Sequence, residues 1–524
     1  PLTRGVATTL PVSPIETQPD KYPVNIVKRD TTMNDTNWDV IVVGGGNAAF
    51  CAALAAHEQG ASVIMLEAAP KDEAGGNSAF TAGAMRVVYE GVDDILKLVP
   101  DLSKTEIKTT DFGTYTQDEF FDDMARVTQY RADPDLVETL VTQSLDTLIW
   151  MREKGVRFVP IYGRQAFKID GKFKFWGGLT LETVGGGPGL IEMWTDIAQR
   201  EGIEIRYETR ALDLISENNH VTGVKVRDND GEYVMAGKTI VLACGGFQAN
   251  TEMRTRYLGP GWDLAKVRGT RFNTGEGIRM ALDIGASPNG NWSGCHAVGW
   301  EMNAPEFGDL AVGDQFQKHS YPFAIMVNAT GKRFVDEGAD FRNYTYAKYG
   351  RVVLEQPGQF AWQIFDQKTK HLQRDEYNIR QITKVTANTI EELAGKLEGV
   401  NADAFVKEIE AYNAAVNEEV EFNPNIKDGR ATQGLSINKT NWANTIQEPP
   451  FEGYAVTCGV TFTFGGLRIN EEGEVLNRDM KPIRGLFAAG ELVGGIFYFN
   501  YPGGSGLTSG AVFGKQAGTS AGKR

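Results

Sequence analysis

The apolar positions of this chain fall into short unbroken runs that stop at glycine. Val40-Ile41-Val42-Val43 follows Asp39 and ends at Gly44-Gly45-Gly46. It is short and lacks polar alternation, so it reads as a strand buried on both faces. The alanine-rich Phe50–Ala56 segment behind it has high helix propensity. After Gly60, Ser62-Val63-Ile64-Met65-Leu66 repeats the strand pattern and ends at Glu67. The signature returns at Lys238–Phe247, where an apolar run meets Gly245-Gly246, and again at Gly485–Glu491. Between those two the period changes. Phe323–Asn328 is strand-like ahead of an Ala329-Thr330-Gly331 turn. Thr389-Ile390-Glu391-Glu392 is a capping-box sequence leading into Leu393 and Leu397, and Ala404–Tyr412 is amphipathic. Strands alternating with helices predict an α/β fold.

The first strand–turn–helix carries the clearest chemistry. Gly44-x-Gly46-x-x-Ala49 stands between a predicted strand and a predicted helix, the context in which a glycine turn binds a dinucleotide. Glycine lets the backbone approach a pyrophosphate, and the helix start offers free N–H groups and a positive dipole end. Gly44, Gly46, Asn47 and Ala48 are the candidates there. Glu67, with Ala68 beside it, follows about twenty residues later, where a carboxylate accepts hydrogen bonds from a ribose. A simple nicotinamide-binding domain has no need of the late Gly-Glu segment at 490–491. A cofactor domain closed by both ends of the chain does.

Composition narrows the partners. At 524 residues the chain is long enough for two domains, and its formal net charge of −15 argues against a nucleic-acid or anionic-membrane surface. Four cysteines (Cys51, Cys244, Cys295, Cys458) and five histidines are scattered, with no ligand spacing for zinc, haem or an iron–sulfur cluster. Redox chemistry then rests on an organic cofactor. No run is long enough to span a bilayer. The cysteine usage favours a reducing compartment, so a cytoplasmic location is expected. Residues 1–37, rich in Pro and Thr, read as a disordered leader or extension, which leaves an organelle open.

With these pieces in order, the chain resembles the flavoprotein family of fumarate reductase and succinate dehydrogenase. The motifs are the N-terminal glycine turn, Gly75-Gly76-Asn77-Ser78 with Ala82-Gly83, Thr274-Gly275-Glu276-Gly277, Arg333-Phe334-Val335-Asp336-Glu337 and Ala488-Ala489-Gly490-Glu491. Within the family it looks most like the FAD-dependent tricarballylate dehydrogenases. The resemblance implies a Rossmann-like FAD-binding domain closed by both chain ends, with an inserted α+β capping domain. The expected division is 38–321 and 441–524 for the FAD domain and 322–440 for the cap. Glu67 would hold the adenosine ribose, and Gly75, Gly76, Asn77, Ser78, Ala82 and Gly83 would line the pyrophosphate and flavin. Ala211, Ala243 and Gly245 would add to the wall. Glu276, Gly490 and Glu491 would serve FAD, and Ser505, Gly506 and Leu507 would approach the isoalloxazine. Members with covalent FAD carry a histidine after the first double glycine; Asn77-Ser78-Ala79 stands there, so FAD is expected to be non-covalent.

For the chemical step, the family places a proton-transferring arginine where this chain has Arg342, and a carboxylate-orienting histidine where it has His296. Two departures stand beside these matches. A family histidine before the C-terminal Gly-Gly turn is replaced within Thr461-Phe462-Thr463-Phe464, and a family arginine by Tyr501. Tyr501-Pro502-Gly503 resembles instead the 3-ketosteroid Δ1-dehydrogenases, where such a tyrosine polarises a carbonyl. A guanidinium is a poor free base, so a relay or a tyrosinate near Arg342 would ease its role. The expected activity is oxidation of a CH–CH bond beside a carboxylate or carbonyl, with a tricarballylate-like polycarboxylate preferred and electrons passed to an external protein, quinone or oxygen. Three alternatives remain: a reductase of an activated double bond, a ketosteroid-type dehydrogenase using Tyr501, and a flavin electron-transfer subunit.

Overall fold

A computed structural model describes residues 38–175 and 178–524; the leader expected over 1–37 lies outside the described residues. Strand β1 (Trp38–Val43) sits inside the main sheet. It pairs in parallel with β2 (Val63–Leu66) on one side and with strand Gly231–Leu242 on the other, so that Ile41 faces Ile64 and Ile240. Strand Pro482–Ala488, from near the C-terminus, adds in parallel beside Gly231–Leu242. Parallel strands covered on both faces need continuous apolar runs, which is why Val40–Val43 has no polar alternation.

Helix α1 (Asn47–His57) covers this sheet and packs against the last helix, Ser505–Gly522. The contact is a seam of small residues at four-residue spacing. A Cβ at Gly514 would lie 2.5 Å from the Ala48 carbonyl oxygen, one at Gly518 2.1 Å from that of Ala52, and one at Gly522 2.8 Å from that of Ala56. Backbone meets backbone here, so both helix starts are held at one place beside the ends of the strands.

A second sheet is organised by the long strand Phe451–Leu467. It pairs antiparallel with Pro288–Glu301, which sets His296 opposite Phe462, and with Ala361–Phe365 and Lys384–Ala387. Strand Ile325–Val327 pairs with Ala361–Phe365. Two of the strands of 322–440, Ala361–Phe365 and Lys384–Ala387, therefore hydrogen-bond to a strand that lies beyond that segment. Both predicted helices there form. Helix Ile390–Lys396 is capped by Thr389, whose hydroxyl accepts from Glu392 N; the Glu392 side chain, however, reaches Asn388 N rather than Thr389 N, so the capping box is shifted by one residue. Asn401 caps helix Ala402–Ala415, which buries Phe405, Ile409 and Tyr412. Phe323 lies in a 3-10 turn, and the strand begins only at Ile325. Among the described residues no helix is long and apolar enough to cross a membrane.

Candidate functional site

One cavity runs along the ends of the main-sheet strands to the second sheet. Of the cofactor residues read from the sequence, Gly44, Gly46, Asn47, Ala48, Glu67, Ala68, Gly76, Asn77, Ser78, Ala82, Ala211, Ala243, Gly245, Glu276, Gly490, Glu491, Gly506 and Leu507 line it. Gly75, Gly83 and Ser505 do not, and each has another task. Gly75, at φ 107°, packs its Cα face against Ile191; a Cβ on Gly83 would collide with the Thr183 hydroxyl at 2.1 Å. Ser505 turns its hydroxyl onto the Pro502 carbonyl.

The cradle's shape follows from what glycine leaves out. Gly44, at φ 126°, brings its Cα so close to the neighbouring strand that a Cβ would sit 2.3 Å from the Ala243 carbonyl oxygen. A Cβ on Gly45 would meet Glu67 Oε2 at 2.4 Å. Glu67 is buried, accepts from Ala69 N at 2.8 Å, and its carboxyl is pushed up by burial. Asn47 joins three segments. Its amide N–H donates to Ser78 Oγ at 3.0 Å, its Nδ2 to the Leu507 carbonyl at 2.9 Å, and its Oδ1 accepts from Trp194 Nε1 at 2.9 Å. Glu491 accepts from Thr463 N at 2.9 Å, Gln248 Nε2 at 3.2 Å and Asn273 Nδ2 at 3.3 Å; burial pushes its carboxyl up to about 7. Glu276 pairs with Arg210. Bare glycine backbone at a helix start, flanked by hydroxyl-seeking carboxylates, fits a pyrophosphate joined to polyols, as in FAD.

Beyond this cradle the lining turns cationic and aromatic. Arg342 opens the 3-10 turn Arg342–Tyr344 and is buried. Its Nη1 donates to His319 Nδ1 at 3.1 Å and its Nη2 to the Arg164 carbonyl at 3.0 Å, while Nε has no partner among the described residues. Burial holds its pKa below the ordinary guanidinium value. Arg164 grips Asp314 with two bonds of 3.0 Å. Arg268 lies 3.7 Å from the same carboxylate and donates to Thr461 Oγ1 at 3.3 Å, leaving its own Nε without a partner among the described residues. His296 is buried with neither ring nitrogen bonded among the described residues, and burial holds its pKa well below the usual imidazole value. Its ring centroid lies 4.8 Å from that of Tyr501 and 4.9 Å from that of Tyr346.

Tyr501 and Tyr346 bond hydroxyl to hydroxyl. Burial pushes the Tyr501 phenol well above its ordinary pKa, which opposes the tyrosinate form. The structure thus brings Arg342, His296 and Tyr501 to one cavity and adds Arg164, Arg268, Asp314, His319 and Tyr346. None of these five was singled out by the sequence. Arg164 and Asp314 are 150 residues apart, and no local period joins them.

The comparisons with known proteins agree with this architecture. The family model described as FAD binding domain matches residues 39–507. A probable fumarate reductase, Ifc3, from Shewanella frigidimarina is 30% identical over 500 residues, covering 92% of this chain and 74% of that protein. A 3-oxosteroid 1-dehydrogenase of Mycobacterium tuberculosis is 25% identical over 94% of this chain and all of its own length. Among solved structures, the open conformation of a flavocytochrome c3 fumarate reductase superposes with a TM-score of 0.70 at 29% identity, covering 93% of this chain and 78% of that one. The chain belongs to the FAD binding domain family, among the fumarate reductase and succinate dehydrogenase-like flavoproteins, and is an FAD-dependent oxidoreductase acting on CH–CH bonds.

Proposed function

We propose that the substrate is a small polycarboxylate, of the tricarballylate kind, oxidised at a CH–CH bond beside a carboxylate. The observation that carries this reading is the pair Arg268 and Arg342: among the described residues each keeps a buried Nε–H without a partner, and Asp314, the carboxylate beside Arg268, is already held by Arg164. Two under-partnered guanidinium groups in one cavity suit substrate carboxylates, which accept at two oxygens.

FAD supplies the two-electron exchange with the substrate carbon when bound. Gly44, Gly46, Gly76, Glu67 and Glu491 would hold it. Asn77 is engaged by Thr461 and Thr270 and offers no nucleophile, which supports a non-covalent cofactor. Arg342 moves the proton released beside the activating carboxylate through a relay with a neighbouring group, since a guanidinium has donors only and cannot hold that proton itself. His296 orients the substrate, and the Tyr501–Tyr346 pair donates to an activating oxygen. Electrons leave to an external protein, quinone or oxygen. The division into an FAD domain and a cap over 322–440 is retained as part of this proposal. A separate apolar core that includes Val327, Trp362, Leu393 and Phe405 supports it.

Arg342→Ala tests the assignment. The variant keeps its flavin but loses reduction by substrate; unchanged reduction would remove Arg342 from the mechanism. One observation favours a second reading. The phenol pair suits a ketone oxygen, and a ketone substrate would shift the polarising role to Tyr501.

A further inference from the structure

The contact between Arg342 and His319 fixes more than the arginine. An arginine side chain has donors only, so at the 3.1 Å contact with Arg342 Nη1 the Nδ1 atom of His319 is the acceptor and carries no proton. A neutral imidazole then carries its proton on Nε2. The imidazolium form is opposed by burial first and then by the charges of Arg342, Arg268 and Arg164, which hold this pKa well below the usual value. Nε2 is buried and has no hydrogen-bond partner among the described residues, yet His319 lines the cavity. A buried N–H left unbonded is unfavourable. Here it has only the cavity to turn to.

The ring is also held still. It packs edge-on against Tyr346, with centroids 4.9 Å apart. The adjoining backbone is clamped: Gln363 Nε2 donates to the Lys318 carbonyl at 3.0 Å, and Ser320 N to the Tyr377 hydroxyl at 2.9 Å. A donor on a fixed ring beside the proposed proton-transferring arginine has the placement a substrate contact requires.

We infer that His319 contacts the substrate, donating from Nε2–H to a carboxylate or carbonyl oxygen, while its Nδ1 positions the Arg342 guanidinium. The inference rests on the proposed function only in placing substrate at this end of the cavity. One imidazole thereby ties a substrate oxygen to Arg342. A neutral donor does this without adding a third positive charge that would hold an anionic product.

Two substitutions separate the two nitrogens. Asparagine places its amide near the Nδ1 position and glutamine near Nε2. In the FAD-loaded protein, tricarballylate binding is read from the flavin absorbance shift and turnover from anaerobic flavin reduction. His319→Asn should weaken binding roughly tenfold while reduction at saturation stays within about threefold. His319→Gln should bind within about threefold of wild type but reduce roughly tenfold more slowly. Equal losses of both quantities in both variants would indicate a merely structural residue and overturn the inference.

The 15N spectrum of the histidines adds a readout independent of turnover, with the His319 signal assigned by its loss in the Asn variant. The neutral Nε2–H tautomer is expected near neutral pH; an imidazolium or an Nδ1–H form would overturn the inference. The His319 signal should shift on adding tricarballylate. A shift with a 3-ketosteroid only would uphold His319 while refuting the polycarboxylate reading, and no shift with either would overturn His319 as a substrate contact.

Discussion

Gly45→Ala separates what the glycine turn does for the fold from what it does for the cofactor. The backbone at Gly45 is not in the left-handed region, so alanine is tolerated locally. Its Cβ would sit 2.4 Å from Glu67 Oε2 and 3.2 Å from Cδ, so the carboxylate must swing away. The end of a glutamate side chain moves readily, and Gly→Ala at a compatible site is itself worth roughly 0.4–1 kcal/mol of stability. The stability of the apoprotein should therefore change by less than about 1 kcal/mol. The cofactor loses more. A hydrogen bond to a charged group contributes about 1.5–3 kcal/mol, so displacing Glu67 from the FAD ribose should weaken FAD binding by about 10- to 150-fold. Titration of apoprotein with FAD, read by quenching of flavin fluorescence, measures this directly, with urea unfolding of the apoprotein as the companion. Unchanged FAD affinity in a folded variant would refute Glu67 as the ribose ligand. A large loss of apoprotein stability would refute the claim that the collision is confined to a side chain.

Three further outcomes follow from the same geometry. Gly518→Ala drives a Cβ to 2.1 Å from the Ala52 carbonyl oxygen, a backbone atom that cannot swing aside, so it should cost about 1–3 kcal/mol and lower Tm; wild-type thermal stability would contradict the tight helix seam. Burial raises the Glu491 carboxyl from 4.5 to about 7, so the folded apoprotein binds a proton that the unfolded chain releases. Its contribution is complete below about pH 4.5 and is lost as pH rises through about 7, amounting to roughly 1–3 kcal/mol with its cavity side open to water. Glu491→Gln should flatten that part of the urea-midpoint profile, and an unchanged slope would show that the carboxyl is not the source. Denaturing the yellow protein should release FAD into the supernatant, whereas flavin remaining with the precipitate would refute the non-covalent assignment at Asn77.

Much of the cofactor cradle was legible because its chemistry is local. The Gly44–Ala49 turn, the apolar run before it and Glu67 lie within one strand–helix–strand unit, and each position has a reason to be glycine or acidic that the sequence states. Gly75 and Gly83 lie off the cavity wall against Ile191 and Thr183, and a glycine crowded by such a neighbour leaves the same mark in sequence as one that admits a ligand. The substrate end was less legible. Arg164 comes from the short helix Tyr162–Gln165, Arg268 follows strand Lys266–Val267, and Asp314 lies in a turn; they meet only through tertiary packing. Tyr501 stands out in the sequence, but its hydroxyl contact with Tyr346 does not, since no spacing relates the two. The same holds for His319, whose tautomer is set by an arginine 23 residues away.

The most direct test of the account is anaerobic bleaching of the protein's flavin absorbance by two sets of compounds, one of tricarballylate, succinate and related acids, the other of ketosteroids and smaller cyclic ketones. The account predicts bleaching by a polycarboxylate in wild type and none in Arg342→Ala with its flavin still bound. Bleaching by ketones alone, or by acids equally well without Arg342, would contradict it.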